Sequence, residues 1–265
     1  MRFRRRGPEP AAARALTAPF VGLLVALWLA VAVALALAAV PACASVVIAG
    51  TRVIYPAAEQ EVTLRLSNVG KSPALAQVWL DEGDPKVDPS LLNLPFMLTP
   101  ALARLDPGKA QTVRIVYTGE PMPPDRESLL WFNLLDVPPS PAEAMTGPNY
   151  VQLAFRTRLK FFFRPAGVAG RVDDAPGTLV WRIVTEGGKS ALRVSNPSSY
   201  YVTIISARVG GSEPVARFDA GDMVAPGGAV SLPLSATPAQ SGTVSFTTLD
   251  DYGAPVKHEA SLKFK

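Results

Sequence analysis

The chain of 265 residues contains one histidine, His258, and one cysteine, Cys43. Nucleophilic catalysis needs a hydroxyl or thiol beside a base that a third group orients, and no Ser-His or Cys-His pairing with a supporting motif is present. A lone histidine offers no metal cluster, and His258 reads as a surface or strand-edge residue of the last strand. Gly187-Gly188 and Gly210-Gly211 lack both the P-loop pattern and an adjoining helix, so they read as hairpin turns and not as phosphate cradles. The carboxylates follow no catalytic pattern. The expectation is a protein that is not an enzyme and that takes no metal and no cofactor.

A different chemistry, recognition through the backbone, is suggested by the segment from Tyr150 to Pro165, which is longer and more regularly alternating than an ordinary sandwich strand. Val151, Leu153 and Phe155 fall on one face at the two-residue period of a strand. If that strand is a sheet edge, it offers an apolar ridge together with unpaired backbone donors and acceptors, which invites another strand. The same periodicity is met if the three side chains fill the core of their own domain. The alternation by itself leaves both readings open.

Such a segment needs a β framework to hold it, and the rest of the chain supplies one. Glu61 to Ser67 places Val62, Leu64 and Leu66 on one face and polar residues on the other. Similar runs cover Ala74 to Leu80, Ala110 to Thr118, Ser128 to Leu135 and Asn149 to Pro165. The second half continues with Thr178 to Thr185, Lys189 to Ser195, Tyr201 to Val209, Ala229 to Pro233, Gly242 to Thr248 and Lys257 to Phe264. Asp106-Pro107-Gly108, Pro226-Gly227 and Tyr252-Gly253 are turn signals between them. Short strands at regular spacing, with no long amphipathic helix, predict an all-β protein of antiparallel, immunoglobulin-like sandwiches. The expected boundary is at Arg164-Pro165-Ala166-Gly167, which gives domains at 45–165 and 166–265.

The N-terminus is read separately. Arg2, Arg4, Arg5 and Arg6 precede an uncharged run from Phe20 to Val40 and the small-residue sequence Ala42-Cys43-Ala44. This is the pattern of a signal peptide over residues 1–44, cut after Ala44. Two rivals are a retained anchor, for which about 20 apolar residues suffice, and lipidation at Cys43. The leader carries five of the 26 basic and one of the 22 acidic residues, which leaves 21 of each in the mature chain. That balance removes the general argument for nucleic-acid binding. Cleavage would also remove the only cysteine, so the stability of the mature chain must come from packed cores and not from disulfides.

Five blocks, in order, carry a resemblance: Thr51-Arg52-Val53-Ile54-Tyr55, Asp125 to Asn133, Leu159 to Pro165, Asn196 to Thr203 and Asp250 to Pro255. They are similar to the periplasmic chaperones of the chaperone/usher pilus pathway, the PapD-like family, and span essentially the whole mature chain. The resemblance implies two immunoglobulin-like β-sandwich domains in a boomerang arrangement. It implies a protein that binds, folds and caps pilus subunits by donor-strand complementation in the periplasm and delivers them to an outer-membrane usher. Val151, Leu153 and Phe155 match the donor residues that complete a subunit lacking its last strand, a form of strand addition. Arg52 and Lys160 match the cations that grip the subunit's C-terminal carboxylate. Glu127, Arg164 and Asp251 match an interdomain salt-bridge cluster. The short segment Pro138 to Asn149 resembles the short-loop branch of the family, which more often serves rod-forming pili.

Lys160 has the opposite parity to Val151, Leu153 and Phe155, so twist or a bulge is expected to reconcile the anchor with the donor face. Self-association of the free protein would cover its apolar edge. The alternatives from other classes are a secreted immunoglobulin-like fibre subunit and a generic exported binding module.

Overall fold

The computed structural model describes residues 27–32, 45–140, 152–210, 216–238 and 242–262. Met1–Cys43 forms a unit of its own, in which residues 27–32 are helical and exposed. Among the described residues no helix is long and apolar enough to cross a membrane. Ala44–Lys265 forms the second unit and contains two hydrophobic cores.

The first core lies between two sheets. One is built from β1 (Val46–Ile48), β3 (Glu61–Asn68), β7 (Ala110–Tyr117) and β5 (Phe96–Thr99), in that order. The other runs β2 (Arg52–Pro56), β9 (Phe155–Arg164), β8 (Ser128–Val137), β4 (Ala74–Asp81) and β6 (Leu102–Leu105). Alternation selects the inward set: Val53 and Tyr55, Leu64 and Leu66, Val113 and Ile115, Phe132 and Leu134, Phe161 and Phe163 are all buried. Aromatic rings dominate one end, where Phe96 meets Phe161 edge-on at 5.1 Å and Tyr117 lies 4.7 Å from Phe163. Asp136 at the far end of β8 accepts from the backbone N–H groups of Ser45 and Val46 at 2.9 and 3.0 Å, which fixes the start of β1.

The second core is enclosed by a sheet of β10 (Val180–Glu186), β11 (Lys189–Ser195) and β15 (Ala229–Pro233), facing one of β13 (Ala216–Phe218), β12 (Val202–Val209), β16 (Thr243–Leu249) and β17 (Pro255–Ser261). β14 (Asp222–Val224) also pairs with β12. Trp181, Leu192, Ile204 and Phe246 fill it. The two sandwiches share a bracing device. A buried asparagine ends β3 in one and closes β11 in the other, each donating from Nδ2 to two backbone carbonyls: Asn68 to Ser72 and Leu105, Asn196 to Tyr200 and Val224. Each gives two backbone carbonyls a buried side-chain donor.

Differences from the sequence reading are local. Thr178 closes a single helical turn, Ala175–Thr178, and the strand begins only at Val180. Leu102–Leu105, outside the expected alternating runs, form β6, and the turn signalled by Asp106-Pro107-Gly108 follows it, closed by Lys109 N–H donating to Asp106 O at 3.0 Å. Gly187 and Gly188 join β10 to β11 with φ of 57° and 77°, the left-handed pair that a two-residue hairpin demands. The segment expected as a strand from Asn149 is a strand only from Phe155. Gln152, Leu153 and Ala154 precede it without ladder pairing, and Val151 with most of 138–149 lies outside the described residues.

Candidate strand-addition and anion site

The long segment does not sit at a simple edge. β9 pairs with β8 along its whole length, from Asp136 opposite Phe155 to Ser128 opposite Phe163. On the other side β2 covers only part of it in a parallel ladder, from Arg52 opposite Lys160 to Pro56 opposite Arg164. The half from Phe155 to Leu159 therefore has no strand on that side among the described residues. Neither ladder shifts register, so no bulge brings Lys160 round to the face of Phe155. Of the two devices expected, twist or a bulge, the bulge is absent, and Phe155 and Lys160 stand at positions of opposite parity in the strand.

The odd positions of β9 continue the core face. Phe161 and Phe163 are buried, whereas Phe155 is 39% and Leu153 60% exposed. The reading in which these two fill their own domain's core is thus corrected: neither belongs to the buried cluster, and both are exposed. Exposed aromatic and aliphatic groups in line with an unpaired edge are an interaction surface.

The even positions carry Arg156, Arg158, Lys160, Phe162 and Arg164, four cations along one face. A row of like charges is costly unless partners are supplied, and the fold supplies them unevenly. Arg156 and Arg158 bind the buried carboxylate of Asp81 at 3.2 and 2.6 Å. Arg164 donates from Nε to Glu127 Oε1 at 2.7 Å, and from Nη1 and Nη2 to Asp251 at 2.8 and 3.0 Å. Burial opposes the charge on Arg164, but these bonds outweigh it and raise its pKa above the usual arginine value. Glu127 Oε2 accepts from the backbone N–H of Tyr201 at 2.8 Å, and its own N–H donates to Ser199 O at 2.9 Å. The structure thus brings Glu127, Arg164 and Asp251 together across the junction of the two sandwiches.

The turn that presents Asp251 needs glycine. Gly253 has φ of 82°, and a Cβ there would lie 2.1 Å from the Thr51 hydroxyl, so the turn and the start of β2 approach to a distance no other residue allows.

Arg52 and Lys160 are the exceptions in this charge pattern. They occupy facing positions on parallel strands, both half-buried, and among the described residues neither forms an ion pair. Burial lowers the Lys160 pKa, and the adjacent Arg52 lowers it further. Burial likewise lowers that of Arg52, against the more distant pull of Asp251, Asp250 and Glu127. Arg52 Nε is buried with no hydrogen-bond partner, while its guanidinium lies 5.9 Å from the Phe162 ring centre. Two adjacent, partly dehydrated cations, one with an unpaired buried N–H, can accept an anion, because a carboxylate would relieve both the repulsion and the orphaned N–H.

Arg52 also lines a cavity of about 170 Å³ between the sandwiches, with Glu127 and Phe162 on one side and Tyr201, Asp251 and His258 on the other. Lys160 is not among its lining residues. His258 sits on β17, stacked on Phe246 with centroids 5.1 Å apart and bonded through Nε2 to the Thr248 hydroxyl at 2.9 Å; burial lowers its pKa. Among the described residues no His, Cys, Asp or Glu group could hold a metal ion.

Residues 45–169 match the pili and flagellar-assembly chaperone family, PapD N-terminal domain, and residues 174–260 match the pili assembly chaperone PapD, C-terminal domain. The chain belongs to the PapD family of pili-assembly chaperones. Among its relatives is the probable fimbrial chaperone YadV of Escherichia coli K12, 40% identical over 83% of this chain and 90% of that protein. Another is the chaperone protein FimB/FhaD of Bordetella pertussis, 41% identical over 83% and 88%. The crystal structure of YadV superposes with a TM-score of 0.70 at 38% identity, over 82% of this chain and all of that one. A chain of the Salmonella enterica SafA pilin complex with the SafB chaperone superposes with a TM-score of 0.69 at 30% identity, over 84% and 99%.

The sequence reading missed the group around Asp81. Its signal was present in the arginines at 156 and 158, two positions apart on the polar face of the strand, but their partners lie on β4 and β8 and share no local motif with them.

Proposed function

We propose that this chaperone is exported to the periplasm, binds a pilus subunit there along β9, and passes it to an outer-membrane usher. The carrying observation is that, among the described residues, Arg52 and Lys160 are the cations on this face without ion pairs, next to the half of β9 whose edge is unpaired. The C-terminal carboxylate of the subunit would bind the two cations and set the register of a strand added to Phe155–Leu159. Phe155, Leu153 and Val151 would enter the groove of the incomplete subunit, each large side chain stabilising the complex by roughly 1.5–3 kcal/mol. That burial needs no ATP. Arg164, with Glu127 and Asp251, would hold the domains, taken as 45–165 and 166–265, at their working angle. Self-association would cover the apolar edge when no subunit is present. The named pilin–chaperone complex among the similar structures supports the reading.

The test is co-expression in a periplasm with candidate exported fibre subunits, comparing the wild type with Lys160→Ala. The expected result is a one-to-one complex with the wild type and at least a tenfold loss with the variant, since a charge-assisted bond contributes about 1.5–3 kcal/mol. Equal recovery by a folded variant would remove the carboxylate anchor. No complex with any subunit would favour a generic binding module.

A further inference from the structure

An unpaired strand edge ordinarily frays, since half of its backbone groups bond only to water. The open half of β9 has a brace on its outer face built within its own sheet, whereas the outward Arg164 of the covered half bonds Glu127 and, in the second sandwich, Asp251. Arg156 donates to Asn133 Oδ1 from Nε and Nη2 at 3.0 and 2.8 Å, and Arg158 donates from Nε to the same oxygen at 3.1 Å. Asn133 Nδ2 donates to Asp81 Oδ2 at 2.7 Å, and the two Asp81 oxygens take one guanidinium each. Asp81 and Asn133 are 1% and 0% exposed although they lie on the face away from the core. The cover is the arginines themselves, with Arg156 4.8 Å from the Trp79 ring centre and Arg158 4.7 Å from that of Trp131. Arg156 also donates to Pro85 O and Arg158 to Gly83 O, which ties in the loop after β4.

We propose that Asp81 and Asn133 are positioning residues for subunit capture: through Arg156 and Arg158 they hold the open half of β9 extended before any subunit arrives. The inference rests on the strand-addition reading above. Its physical basis is preorganisation, because a strand already fixed in the bound conformation loses less backbone freedom on binding. The geometry favours this role over general stabilisation. Both arginines stand on consecutive outward positions of the uncovered half, and they reach across two strands to one acidic residue. Where β2 supplies a ladder, no two outward cations share one carboxylate among the described residues: Lys160 forms no ion pair, and Arg164 bonds Glu127 and Asp251 at the domain junction.

The test uses hydrogen exchange on the free, full chaperone and subunit-capture kinetics, for the wild type, Asp81→Asn and Arg158→Lys. Lysine keeps the charge but cannot bond Asn133 and Asp81 together. The expected result is about tenfold faster exchange confined to Phe155–Leu159 and about tenfold slower capture. Amides of β3, β7 and the second sandwich should keep their wild-type rates. If Asp81→Asn fails to fold, Arg158→Lys carries the same expectation. Unchanged exchange in 155–159, or a uniform rise across the first sandwich, would overturn the proposal. So would wild-type capture by a variant with a loosened strand. A wild type that captures no subunit would instead remove the strand-addition reading, while the exchange data would still report on the brace.

Discussion

The two halves of β9 obey the same alternation and differ in what surrounds them. From Lys160 to Arg164 the strand has β8 on one side and β2 on the other, its odd residues are core, and Arg164 ties it to the second sandwich. From Phe155 to Leu159 it has β8 alone, its first odd residue faces solvent, and its even residues are held by Asp81. One strand is thus paired on both sides at its end and, among the described residues, on one side only at its start. The pattern of side chains is nearly uniform; the neighbours are not.

The largest expected effect separates two phenylalanines on the same face. Phe161→Ala should cost roughly 3–5 kcal/mol in urea unfolding, as for any fully buried ring, whereas Phe155→Ala should stay within about 0.5 kcal/mol, as at an exposed site. Similar costs at both positions would erase the distinction between the halves.

Next is Arg164→Ala, which leaves the Glu127 carboxylate buried without its cation. Breaking a buried pair costs about 3–5 kcal/mol; with Arg164 and Asp251 partly solvated, roughly 2–3 kcal/mol is expected by calorimetry. A cost below about 0.5 kcal/mol would show that the junction is held by other contacts.

Gly253→Ala should cost about 1–3 kcal/mol from its positive φ and the contact with Thr51, and it should exceed Gly108→Ala. Gly108 has φ of 73° with open space around it, so it carries the φ term alone. Equal costs would mean that Thr51 simply rotates away.

The smallest effect is on pH dependence. The ammonium of Lys160 is disfavoured in the free protein, so that penalty is present at neutral pH and relieved as pH rises through its lowered value. The free protein should gain stability in that window while the anion site loses affinity for a peptide carboxylate, measured calorimetrically. Affinity that holds up to the ordinary lysine range would contradict the dehydration of Lys160.

The fold was largely legible, because period-two alternation and Pro-Gly punctuation are local properties. They marked β3, β4, β7, β8 and β11 to within a residue or two. β1, β2, β5 and β6 are short, and their strand state depends on what they pair with, so no local pattern announced them. The parity of Lys160 against Phe155 was also readable; of the twist or bulge expected to reconcile them, the bulge is absent. Two faces of one strand can serve one partner without turning toward each other: the backbone edge lies between them.

The sequence by itself determined the longer strands, the apolar alternation leading into β9 and the row of cations behind it, since these follow from residue type and a period of two. Which cations are neutralised and which are left for a ligand was decided only in three dimensions. Asp81 is 75 residues from Arg156, and Asp251 is 87 from Arg164. Which residues of the stripe are core was decided the same way: Phe161 and Phe163 are buried, and Phe155 is exposed. Burial and charge pairing are properties of neighbours across sheets, and those neighbours exist only once the chain has folded.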